Sequence, residues 1–159
     1  MKLRPFGTTG MNVSEIGLGA WQLANPDWGI DDKSEALEIV RKSLEAGCNF
    51  FDTAPGYGAG RSEELLGHGL KSVRKDVIIC TKFGHTAEGK TDFGTQAIRS
   101  SLEASMKRLQ TDYLDIVLMH NPPREMMDGR TASQYEEFEK LKAPRIIPTI
   151  PERPTSTSP

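Results

Sequence analysis

Three things are scarce in this sequence, and each scarcity removes a class of function. Cysteine is the first: Cys48 and Cys80 are the only two in 159 residues, with no CxxC pairing. That excludes a disulfide framework and leaves too few thiolates for a structural zinc site, so both read as reduced thiols, Cys80 inside an apolar run. Long apolar runs are the second. The longest covers a few residues, well short of the roughly 20 that cross a bilayer. The opening Met1-Lys2-Leu3-Arg4-Pro5 carries no apolar signal core, so a soluble, cytoplasmic protein with no membrane partner is expected. Clustered basic charge is the third. The 20 Lys and Arg stand against 22 Asp and Glu, for a net charge of −2. No Lys/Arg run offers a track for phosphates, and nucleic acid is not expected as a partner.

What remains is the composition of one globular domain. Hydrophobic residues make up 36%, below the roughly 45–50% of a count that includes glycine, and the 15 glycines close most of that gap. The first 15 residues predict two short strands around Gly7-Thr8-Thr9-Gly10, a hairpin. Strands and helices then alternate. Ile16 to Ala20 predicts a strand. Asp32 to Ala46 predicts a helix, capped by Asp32 with Glu35 three residues on and closed by Gly47; Ala36, Leu37, Val40 and Leu44 form its apolar face. Asn49 to Thr53 is the next strand, followed by a helix from a Ser62 cap to Leu70. Val77 to Thr81 is a third strand, and Ile98, Leu102, Met106 and Leu109 mark one face of the helix after it. Tyr113 to Met119 is a fourth strand. Ser133, with Glu136 three residues on, predicts the start of a fourth helix carrying Tyr135, Phe138 and Leu141. The fold class is therefore α/β: a hairpin, then four βα units with a parallel sheet. The near-continuous apolar strands suit a sheet covered on both faces.

After Lys142 the character changes. Residues 144–159 hold five of the chain's 10 prolines and five Ser or Thr. Such spacing leaves no room for a helix or a ladder. Residues 1–142 are expected to form the folded unit, and 143–159 a disordered tail.

Four polar residues punctuate the ends of the predicted strands, where α/β enzymes build their sites. Asp52 follows Phe50-Phe51, Lys82 follows Ile78-Ile79-Cys80-Thr81, and His120 follows Ile116-Val117-Leu118-Met119. Tyr57 lies just beyond Asp52, in Gly56-Tyr57-Gly58-Ala59-Gly60. Each has a plainer reading: a turn former for Asp52, a structural ion pair for Lys82, an exposed loop ring for Tyr57, a structural imidazole for His120. Together they suit carbonyl reduction. An ordinary tyrosine hydroxyl ionises at about pH 10, and a neighbouring Lys82 cation would favour its phenolate and make it a better acid. Asp52 would hold Lys82, and His120 would bond the substrate oxygen or relay the proton. Hydride must come from a cofactor. Other motifs fail: Gly17-x-Gly19 lacks the third glycine of a dinucleotide fingerprint, since position 22 is Gln. Gly56-x-Gly58-x-Gly60 runs into Arg61-Ser62 rather than a P-loop ending. His68 and His85 have no metal-ligand spacing around them and read as a helix and a loop residue; no metal site is expected.

The runs Gly17-Leu18-Gly19-Ala20-Trp21, Phe51-Asp52-Thr53-Ala54-Pro55-Gly56-Tyr57-Gly58, Ser62-Glu63-Glu64-Leu65-Leu66-Gly67, Thr81-Lys82-Phe83-Gly84 and Met119-His120-Asn121-Pro122 resemble the aldo-keto reductases. So does the stretch from Ser105-Met106-Lys107-Arg108-Leu109 to Asp112-Tyr113-Leu114-Asp115. The resemblance covers about residues 2–142. It implies the N-terminal half of a (β/α)8 TIM barrel, an NADPH-dependent oxidoreductase, and small aldehydes or ketones as substrates. The family's catalytic residues fall on Asp52, Tyr57, Lys82 and His120, and Gly19, Ala20, Trp21 and Asp52 match positions that line its cofactor cleft.

The sequence leaves the family pattern after Lys142. The family's remaining four βα units, which supply most of the cofactor grip, have no counterpart here. A truncated or frame-shifted reductase is therefore the expectation, with weak NADPH binding and low or no turnover. Open sheet edges would favour self-association. A non-catalytic binding or regulatory subunit, as in potassium-channel relatives of the family, and a non-functional fragment are the alternatives.

Overall fold

A computed structural model describes residues 1–28, 30, 32–127 and 132–142. Strands β1 (Leu3–Pro5) and β2 (Asn12–Ser14) form an antiparallel hairpin. It is fastened to the main sheet through Asn49. The Ser14 N–H donates to Asn49 Oδ1 at 2.6 Å, and Asn49 Nδ2 donates to the Asn12 carbonyl at 3.0 Å. The Phe6 ring packs on Phe50 at 5.8 Å. Since Asn49 just precedes a strand, the hairpin sits beneath the N-terminal end of the sheet.

That sheet contains β3 (Leu18–Gly19), β4 (Phe50–Asp52), β5 (Ile78–Phe83) and β6 (Ile116–Met119), in the order β3-β4-β5-β6, every neighbour parallel. Helices α1 (Lys33–Glu45), α2 (Arg61–Leu70) and α3 (Thr95–Leu109) make the crossovers, and α4 (Ala132–Lys142) follows β6. Strand order that never reverses is that of a barrel wall; a doubly wound sheet reverses at a switch point. The expected hairpin and four βα units are thus present. Residues 143–159, expected to be a tail, lie outside the described residues.

Strand side chains alternate between two faces. Phe51, Ile79, Thr81 and Phe83 point toward the helices and are fully buried, among Ala36 and Val40 of α1, Leu65, Leu66 and Leu70 of α2, and Ile98, Leu102 and Leu109 of α3. A buried ion pair joins these layers: Arg108 Nε donates to Glu63 Oε2 at 2.7 Å, while the Thr81 hydroxyl donates to Glu63 Oε1 at 2.6 Å. Phe50, Asp52, Ile78, Cys80, Lys82, Ile116 and Leu118 share the opposite face. Among the described residues no strand pairs with the outer edge of β3 or β6. Ile16 beside the first edge is 66% exposed and Leu118 on the last strand 47%.

Several elements depart from expectation. The first barrel strand is Leu18–Gly19, not Ile16–Ala20. The chain approaches at Gly17 so closely that a Cβ there would stand 2.7 Å from the Phe50 ring. The last strand begins at Ile116, not Tyr113, because side chains take over its early bonds. Asp115 Oδ2 accepts the Ile79 N–H at 2.9 Å, and Arg74 donates to both Asp115 and the Tyr113 carbonyl. Lys82 lies within β5, since the ladder continues through Lys82↔Leu118 and Phe83↔Met119. Asp32 caps α1 as expected, accepting from the Ser34 N–H at 2.9 Å. Ser62 does not cap α2; that place belongs to Gly60 at φ +89°. Ser133 lies inside α4, its hydroxyl bonded to Gln134 Oε1. No described helix is long and apolar enough to cross a membrane.

Candidate active site

The C-terminal end of the sheet gathers all four polar residues singled out in the sequence. Asp52 ends β4, and Lys82 stands two residues beyond Cys80, its cross-strand neighbour, on the same face. The Lys82 side chain is only 11% exposed, and a lysine so enclosed needs partners. It has two: Nζ donates to Asp52 Oδ1 at 2.7 Å and to the Thr53 carbonyl at 2.7 Å. Nζ also lies 4.9 Å from the centre of the Tyr57 ring, within cation–π range.

Tyr57 is held by its loop. Its N–H donates to the Ala54 carbonyl at 3.1 Å. Gly58, at φ +58°, approaches Ala24 so closely that a Cβ would meet its carbonyl oxygen at 2.5 Å. Only glycine fits both conditions. Ala59 is also left-handed, at φ 54°, a strained state for a residue with a Cβ. Ser62 ties this loop to its neighbours: its hydroxyl donates to the Ala20 carbonyl at 2.9 Å and bonds Thr53 Oγ1 at 2.8 Å. The serine read as a helix cap is instead the clasp between two site loops.

His120 follows β6, its N–H donating to the Phe83 carbonyl at 2.8 Å. Asn121, at φ 51°, then turns the chain away. The His120 ring stands edge-on to Tyr57, with centres 5.6 Å apart. Burial above all, then the Lys82 and His85 charges, push its pKa below the ordinary 6.5, against a smaller opposing pull from Asp52. His120 is therefore a neutral imidazole at pH 7, fit to donate or accept a hydrogen bond. Its Nδ1 is buried and meets no partner among the described residues. Burial and Asp52 push the Cys80 thiol up to about 12, so it stays protonated and is no nucleophile.

The residues expected to line a cofactor separate. Gly19 pairs with Asp52, and a Cβ added to it would meet nothing within 4 Å. Ala20 is fully buried and serves through its backbone, its N–H donating to the Asp52 carbonyl at 2.8 Å. Trp21 is exposed, edge-to-face with exposed Trp28 at 5.5 Å. A separate cavity of about 580 Å³ runs along β6 toward the hairpin, lined by Phe6, Met11, Phe50, Asp52, Leu118 and Phe138 among others; of the expected site residues only Asp52 reaches it. Arg74 and Arg108 are committed to carboxylates away from Gly19, Arg108 within the helix layer and Arg74 at Asp115 before β6. The described residues thus leave open space at Gly19 beside Asp52, with no loose basic cluster next to it for the phosphates of NADPH. Sequence reasoning missed two contributors. Thr53 acts through a carbonyl, which no side-chain pattern reveals. His85, read as a loop residue, lies with its ring 5.0 Å from that of His120; its place three residues beyond Lys82 was the available signal.

Comparison with known proteins agrees with this architecture. The aldo/keto reductase family model matches residues 15–144. L-galactose dehydrogenase of Arabidopsis thaliana is 39% identical over 145 residues, covering 89% of this chain and 45% of the relative. Among solved structures, the aldo-keto reductase AKR11C1 from Bacillus halodurans in its holo form superposes with a TM-score of 0.81 at 35% identity, over 92% of this chain and 48% of that one. An aldo-keto reductase from Klebsiella pneumoniae in complex with NADPH gives a TM-score of 0.69 at 29% identity, over 86% and 44% of the two chains. The chain spans about half the length of the relatives it matches, and those relatives are barrel enzymes of one kind: it belongs to the aldo-keto reductase family of oxidoreductases.

Proposed function

We propose that this chain carries the acid–base half of an NADPH-dependent carbonyl reductase, acting on small aldehydes or ketones to give alcohols. The observation that supports it is the position of Lys82 Nζ, fixed by Asp52 and the Thr53 carbonyl and facing the Tyr57 ring. In this reading Tyr57 gives its hydroxyl proton to the carbonyl oxygen as the alcohol forms. The Lys82 cation, already in place, stabilises the negative charge left on the phenol oxygen without having to reorganise. Asp52 and Thr53 keep that cation aimed. His120, neutral, donates a hydrogen bond to the same substrate oxygen. NADPH, when bound, supplies the hydride. Gly19, Trp21 and Asp52, with Ala20 shaping the backbone between them, are the residues that would hold the cofactor. Since the described residues place no loose basic cluster next to them for its phosphates, the chain alone is expected to bind NADPH weakly and turn over slowly.

The test grafts residues 1–142 in place of the matching half of the Klebsiella relative. NADPH fluorescence on binding reports whether the chimera is assembled, and NADPH oxidation by a small aldehyde reports chemistry. Tyr57→Phe is expected to lower kcat by roughly 10²–10⁴-fold with binding retained. An assembled chimera whose turnover ignores Tyr57→Phe would refute the assignment.

The free edges of β3 and β6 favour a second reading, in which the chain works by assembly. Set about a twofold axis, β6 of one copy would lie parallel to β3 of another, covering both edges and the exposed Ile16 and Leu118. Sedimentation over a concentration series tests this: a monomer throughout would eliminate it.

A further inference from the structure

His85 takes no part in the chemistry assigned to the four residues, yet it is held more firmly than a loop residue requires. Its Nδ1 is 3.1 Å from Thr91 Oγ1, and the two residues form a backbone bridge. Phe93 packs edge-on to its ring at 6.0 Å. The turn leading into it is fixed as well. Gly84, at φ +114°, leaves the space that Phe93 fills, and a Cβ there would lie 2.1 Å from the Phe93 ring. On its other side His85 meets the Tyr57 loop, where a Cβ on Gly56 would stand 3.7 Å from the His85 Cβ. So constrained, the His85 ring stands at 90° to the His120 ring, 5.0 Å between centres.

Among the described residues, the groups facing His120 are few. Lys82 and Asp52 come from β5 and β4, Tyr57 from the loop after β4, and His85 from the loop after β5. Lys82 is locked to Asp52. An imidazole is the one kind of neighbour in this set able to add or lose a positive charge near neutral pH.

We propose that His85 is a positioning residue for His120: pinned by Thr91, it fixes the tilt of the His120 ring against Tyr57 and, when protonated, keeps His120 in its neutral form. This rests on the reading that His120 faces the substrate oxygen, because only then does its form matter to the reaction. Without His85, His120 would gain a proton at higher pH and set a second positive charge beside Lys82.

The chain has 3 histidines, so each ring proton can be followed by NMR during a pH titration of the intact protein. His68, exposed on α2, serves as the internal control. His85→Phe keeps an aromatic ring for edge-on packing and removes the proton. The His120 midpoint is expected to rise toward 6.5 while the His68 midpoint stays. His85→Gln, without ring or charge, is expected to do the same and stands in if the Phe variant does not fold. Thr91→Val leaves the imidazole in place and frees its Nδ1; the ring nitrogen shifts of His85 should change and the His120 ring signals broaden. An unmoved His120 midpoint in a folded His85 variant would overturn the proposal. Ionisation is read here without turnover, so an inactive chain leaves the test intact. In the NADPH-binding chimera, His85→Phe should also move the acidic limb of the pH–rate profile upward. A shifted NMR midpoint with an unshifted limb would count against the catalytic reading of His120 and leave its coupling to His85 standing.

Discussion

The two faces of the central sheet are built from the same short strands and have opposite fates. On the helix side Phe51, Ile79, Thr81 and Phe83 are sealed beneath α1, α2 and α3. On the other side Phe50, Asp52, Lys82 and Leu118, drawn from alternate positions of the same strands, remain partly in solvent. Every residue of the candidate site lies on the unsealed face or in the loops above it. The first face is a finished core, which this chain's own helices suffice to cover. The second is a working surface that depends on what meets it.

If that contrast is correct, substitutions on the two faces should differ sharply. Phe51→Ala should cost about 3–5 kcal/mol through the cavity it leaves, a large part of the stability of a domain this size. Urea unfolding would show it, and a small shift would mean that the helix side is less well packed than its burial implies. Ser62→Ala comes next. It strips a partner from the buried Thr53 hydroxyl and Ala20 carbonyl, and about 1–3 kcal/mol is expected, with the Tyr57 loop exchanging its amide hydrogens faster. A pH titration of stability probes the open face more gently. His120 binds its proton less readily when folded than when unfolded, so the unfolded chain takes up more protons as pH falls. Stability held above pH 6.5 should therefore decline as pH drops through that value and toward the lower folded midpoint. His120→Asn should flatten that part of the curve, and an unchanged slope would assign it to other groups. Leu118→Asp is expected to have the smallest effect on stability, within about 0.5 kcal/mol, while reducing any self-association seen by sedimentation. A large loss of stability there would mean that the face is already covered.

The sequence made the rhythm of the fold legible because strand and helix periods differ, and the cap at Asp32 because its chemistry is local. Asp52, Lys82 and His120 stood out as polar residues closing apolar runs. What escaped was decided between distant segments. Ser62 has the type and position of a cap, but Gly60 takes the left-handed start of the helix, and the hydroxyl is drawn to Ala20 and Thr53. The late start of β6 follows from Asp115 and Arg74 replacing ladder bonds, an exchange between residues some forty positions apart. His85 stood three residues beyond Lys82, but its role escaped for the same reason, since it meets a ring just past the next strand.

The edge-to-face pair Trp21 and Trp28 has a practical consequence. These are the only 2 tryptophans in the chain, and both sit in the connection between β3 and α1, at the rim of the open face. The protein's intrinsic fluorescence is therefore a single-address signal. Whatever changes its colour or intensity has touched that rim, and no label is needed to watch it happen.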